Sequence, residues 1–89
     1  MEREQVIALI REVVPNASEI AVDGADCDFS ALVLSEEFDG VSQVKRQQQI
    51  LARFSDVLAT GELHALSVKA HTPSEWQAKQ QGSLTQISL

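Results

Sequence analysis

The stretch Leu63 to Trp76, LHALSVKAHTPSEW, constrains this chain more than any other. Its first part, Leu63 to His71, reads as a strand with Leu66 and Val68 directed at a core. Thr72-Pro73-Ser74-Glu75 then forces a helix start. Thr is the N-cap, Pro occupies the first helical position, and Glu stands three residues after the cap. Trp76, in the first turn of that helix, is expected to dock it onto the sheet. The stretch holds both histidines and the only tryptophan. It leaves one question, whether His64 does chemistry or packs.

The remaining elements follow from periodicity and punctuation. Val6, Ile7, Ile10, Val13 and Val14 give a helix over Glu2 to Val14, stopped by Pro15-Asn16. Ser18 to Asp23 and Asp28 to Leu34 read as two strands of a hairpin. Their connection, Gly24-Ala25-Asp26-Cys27, carries the lone cysteine. The second strand is apolar on both faces, which suits a central position. Phe38 and Gly40 mark a connector. Ser42 is expected to cap a long helix to Leu58, whose apolar face is Val44, Ile50, Leu51, Phe54, Val57 and Leu58. Lys45, Arg46, Gln49 and Arg53 are expected on its opposite side. Gly61 ends it. The predicted fold is α+β, in the order helix-strand-strand-helix-strand-helix. A three-stranded mixed sheet is covered by helices on one face. One domain over 1–81 and a flexible tail over 82–89 are expected.

Composition removes several function classes. A net charge of −6 over 89 residues argues against a surface-wide nucleic-acid footprint. One Cys cannot form an intramolecular disulfide. No apolar run approaches a membrane span, so the expectation is a cytoplasmic protein without a membrane role. There is no nucleophile elbow, P-loop or dinucleotide fingerprint, and no enzyme is expected.

Two residues remain as candidate ligands. Cys27 reads either as a small buried hydrophobe or as a metal ligand. Its flanking Asp26 and Asp28 disfavour a reactive thiolate, and metal coordination reverses that. His64 reads either as a hydrogen-bonded structural residue or as a ligand. One Cys and one His cannot complete a structural zinc site, but they supply half of an iron–sulfur cluster shared between two chains. Lys45, Arg46, Arg53 and Lys69 form a small basic strip, read either as a solvated face or as nucleic-acid contacts.

From about Glu4 to Lys79 the chain resembles the BolA-like proteins. The resemblance is carried by Phe38-Asp39-Gly40, Val44-Lys45-Arg46, Leu63-His64-Ala65 and Thr72-Pro73-Ser74-Glu75-Trp76. The helix segment VKRQQQ looks most like the bacterial IbaG branch. The resemblance implies a class II KH-like fold. It also implies a monothiol glutaredoxin of the CGFS type as partner, with a [2Fe-2S] cluster shared between the two proteins and glutathione on the partner side. No cofactor is expected in the isolated chain, and a homodimer is a second partner state. The family's histidine ligand falls on His64, and its loop ligand matches Cys27. Three departures stand out. Asp28 occupies the loop place where the IbaG branch usually has His, Gln47 stands where the family often has His, and the G-x-x-G nucleic-acid grip is missing. The leading expectation is iron–sulfur cluster trafficking, assembly or sensing. The alternative is a DNA-binding transcriptional regulator of stress or morphology genes.

Overall fold

A computed structural model describes residues 1–25 and 28–79. The tail expected over 82–89 lies outside the described residues. Helix α1 spans Arg3–Val13 and buries Val6 and Ile10 completely. Its first turn is closed by the Glu2 N–H, which donates to Gln5 Oε1 at 2.8 Å. Strands β1 (Glu19–Ala25) and β2 (Asp28–Leu34) form an antiparallel pair. A 3-10 turn over Glu36–Phe38 leads to α2 (Gln43–Ala52) and α3 (Ser55–Thr60), and β3 (Ala65–His71) returns parallel to β2. Residues 73–79 are helical and form α4. The sheet order is β1-β2-β3, so the doubly apolar β2 is central.

The core lies on one face of the sheet. Val22, Ala31 and Val68 are in register across the three strands, as are Ile20, Val33 and Ala70. Val6 and Ile10 of α1 and Val14 just after it, together with Ile50, Phe54 and Leu63, pack into the same cluster. Burial of each such side chain is worth about 1.5–3 kcal/mol. The other face carries Ala21, Asp23, Ser30, Leu32, Ser67 and Lys69, following the two-residue period.

Two expectations need correction. β1 continues through Gly24 to Ala25, where a loop was expected. Gly24 permits this with φ +127°. A Cβ there would sit 2.1 Å from the Asp28 carbonyl oxygen, so any side chain would collide with the partner strand. The long helix is also broken. Arg53 caps α2, and Phe54 opens α3 with φ −101° and ψ 4°. The bend keeps Phe54 fully buried and Val57 and Leu58 against the core, while Val44 is left 62% exposed. The apolar stripe is therefore real, but no single straight helix carries it and Val44 is not part of it.

Candidate functional site

His64 is placed by the residues that precede it. Gly61 turns the chain out of α3 in the left-handed conformation, φ +86°. Leu63 is fully buried, and its N–H donates to the Val57 carbonyl at 3.1 Å. With Leu63 pinned inward, the next residue faces outward. His64 is exposed and makes no hydrogen bond or ion pair among the described residues. An exposed imidazole with no partner among the described residues leaves a ring nitrogen accessible to a metal that a second protein brings. Cys27 lies outside the described residues. Its neighbour in the chain, Asp28, is the register partner of Ala65, the residue after His64. No group of three or more His, Cys, Asp or Glu side chains able to hold a metal occurs among the described residues.

Arg46 overturns the expected basic strip. It does not project to solvent: it is 4% exposed. Its Nε donates to the Val41 carbonyl at 2.8 Å, Nη1 to Ala70 at 3.1 Å and Nη2 to Phe38 at 2.7 Å. Nη1 and Nη2 also grip the Glu75 carboxylate at 2.6 and 3.1 Å. The five donors of a guanidinium are thereby all used. The Arg46 guanidinium, with the Thr72 N–H bond, pulls the Glu75 carboxyl down from 4.5 to about 2. The Glu75 N–H donates in turn to Thr72 Oγ1 at 3.1 Å, closing the expected capping box. Arg53 pairs with Glu12 at 3.2 Å. Lys69 stands on the outer sheet face, away from the core layer that contains α2. The four cations do not form one strip.

With that geometry in place, comparison with known proteins settles the family. The sequence pattern described as "BolA-like protein" matches residues 7–75. The chain belongs to the BolA-like family. Among its relatives is the protein named acid stress protein IbaG from Escherichia coli strain K12. The two are 39% identical over 70 residues, covering 75% of this chain and 83% of the relative. That relative is named for a stress response and not for a catalysed reaction. Two solved structures are similar. BolA1 from Arabidopsis thaliana has a TM-score of 0.70 and 27% identity, covering 84% of this chain and 98% of that one. The BolA domain of SufE1 from the same plant has a TM-score of 0.65 and 29% identity, covering 84% of this chain and 99% of that one.

The BolA-like blocks in the sequence now separate by role. The Arg46 guanidinium joins Phe38 of the first block to Glu75 of the last, and Glu75 in turn bonds Thr72, so these residues hold the fold together at the start of α4. His64 stands outside that network. Gln47 donates to the Val68 carbonyl at 3.2 Å and so covers part of the exposed edge of β3. Trp76 was expected to dock the last helix onto the sheet, and the face it takes is not the core face. It is half-buried on the outer face, stacked on His71 with ring centroids 5.7 Å apart. A signal for Arg46 was present in the sequence. It lies four residues before Ile50 and eight before Phe54, which places it on the apolar side of the helix.

Proposed function

We propose that this BolA-like chain is a cytosolic accessory protein of iron–sulfur cluster traffic. It pairs with a monothiol glutaredoxin and contributes His64 and Cys27 to a shared [2Fe-2S] cluster, which is cargo and not a resident group. The observation that supports this reading most is His64, exposed and without a partner among the described residues. Its chain neighbour Ala65 is registered against Asp28, the chain neighbour of Cys27. One nitrogen and one sulfur donor make half of a four-ligand set, and a glutaredoxin with glutathione supplies the other half. The buried Leu63 fixes the backbone from which His64 extends. The imidazole presents its lone pair, and Cys27 binds as thiolate. Family membership and the likeness to plant BolA domains, one of them belonging to SufE1, agree with this reading.

The test mixes the purified chain with a CGFS glutaredoxin, glutathione, iron and sulfide, then records visible absorption and circular dichroism. The expected result is a heterodimer spectrum distinct from that of the glutaredoxin homodimer. His64→Ala is expected to return it toward the homodimer spectrum, and Cys27→Ser to weaken it. An unchanged spectrum in His64→Ala would remove His64 from the ligand set. DNA regulation has less support, because Arg46 is buried and Arg53 is paired with Glu12.

A further inference from the structure

His71 closes β3 on the outer face of the sheet, in register with Leu34. Its half-buried ring stacks on Trp76, the only tryptophan of the chain, with an interplanar angle of 28°. From α2, Gln43 Nε2 lies 3.4 Å from His71 Nδ1. An amide nitrogen only donates, so in this contact Nδ1 is the acceptor. Charges face this ring from several elements. Lys69 comes from β3, Arg46 from α2, and Glu75 and Lys79 from α4. Glu75 is already gripped by Arg46. Two strands away Glu19 is in register with Leu34, and Glu36 and Asp39 line a cleft with Thr72. Beside the stack, Trp76, Ala21, Leu32 and Lys69 bound a cavity of about 280 Å³ on the outer face.

We propose that the His71–Trp76 stack is an acid-operated latch that seats α4 on the outer face of the sheet, closed while the ring is neutral and loosened when Nδ1 takes a proton from solvent. Protonation sets a ring N–H against the N–H of Gln43, so that contact is lost in its present form. It also adds a cation among Lys69, Lys79 and Arg46, in a ring partly withdrawn from water. A cation–π attraction to Trp76 opposes release. Burial, followed by Lys79, Arg46 and Lys69, outweighs Glu75, so the ring is held below the ordinary 6.5. Loosening α4 opens the cavity beside Ala21 and Leu32. This inference is independent of the cluster reading, since His64 precedes β3 and His71 ends it.

The test follows the two histidine rings by NMR and Trp76 by fluorescence in the full chain, from about pH 8 to about pH 5. Far-UV circular dichroism confirms that each variant is folded. The expected result is a His71 midpoint below 6.5, with Trp76 fluorescence and the amide signals of 73–79 changing at the same midpoint. His71→Phe keeps the aromatic contact and is expected to abolish the transition. Gln43→Glu sets a carboxylate beside Nδ1 and is expected to raise the midpoint by about one unit. This second variant retains His71 and Trp76, so it carries the test even if His71→Phe fails to fold. A transition that survives His71→Phe overturns the proposal. So does a His71 titration that leaves Trp76 and 73–79 unmoved, or a midpoint that Gln43→Glu does not raise.

Discussion

Arg46 is the residue on which most of the local order depends. It satisfies three backbone carbonyls that no other described side chain reaches, and it holds the carboxylate that caps α4. Its guanidinium also lies over the Phe38 ring, 5.6 Å from the centroid. Lysine offers three donors on one atom and cannot reproduce a planar fork. Arg46→Lys therefore leaves buried acceptors unmet and is expected to cost about 2–3 kcal/mol, read by urea unfolding monitored through Trp76. His64 is the opposite case. It is exposed and unpaired among the described residues, so His64→Ala is expected to leave the urea midpoint within error while altering the cluster spectrum.

At the scale of elements, the break between α2 and α3 decides where the crossover packs. A straight helix over Ser42 to Leu58 would direct Phe54 and the following turn along one line. Ile50 and Phe54, four residues apart, share the core face, and the bend at Arg53-Phe54 redirects the turn that follows, with Leu63 packed in the same cluster. Phe54→Ala removes a fully buried ring at that bend and is expected to cost about 4 kcal/mol, checked by thermal or urea unfolding. Because Leu63 anchors to Val57 in α3, the same variant is also expected to loosen His64, seen as faster exchange of the Leu63 amide. The helix α2 also guards the exposed edge of β3. Arg46 and Gln47 donate to the Ala70 and Val68 carbonyls, occupying positions a fourth strand would use.

For the molecule as a whole, acid acts on the face where α4 meets the sheet. Glu75 has a folded pKa of about 2 against an ordinary 4.5. A carboxylate depressed in this way contributes stability above 4.5 that is lost as pH falls toward 2. His71 is a base held below 6.5, so stability is also lost as pH falls from 6.5 through its folded value. The His71 window opens at 6.5 and the Glu75 window at 4.5. Stability is expected to begin falling below 6.5 and to fall further below 4.5, with Glu75→Gln removing the part that begins at 4.5 and leaving the part that begins at 6.5. Urea midpoints measured across the pH range check this.

The sequence by itself determined the element types, the central position of β2, the capped start of α4 and the family. These rest on short-range facts: alternation, helical period, a proline in the one helical place that tolerates it, and motif blocks at fixed spacing. Only the tertiary structure decided what those residues are for. The sequence showed Arg46 as one cation among four. The acceptors that internalise it come from Phe38, Val41, Ala70 and Glu75, drawn from elements far apart in the chain. The side of the sheet taken by Trp76 depended on how β3 registers with β2, which no local pattern encodes. His64 was legible as a candidate, but its exposure was not. That came from Leu63 being drawn into the core by α1, α2 and the sheet together, since burial is a property of the assembled layers and not of a segment.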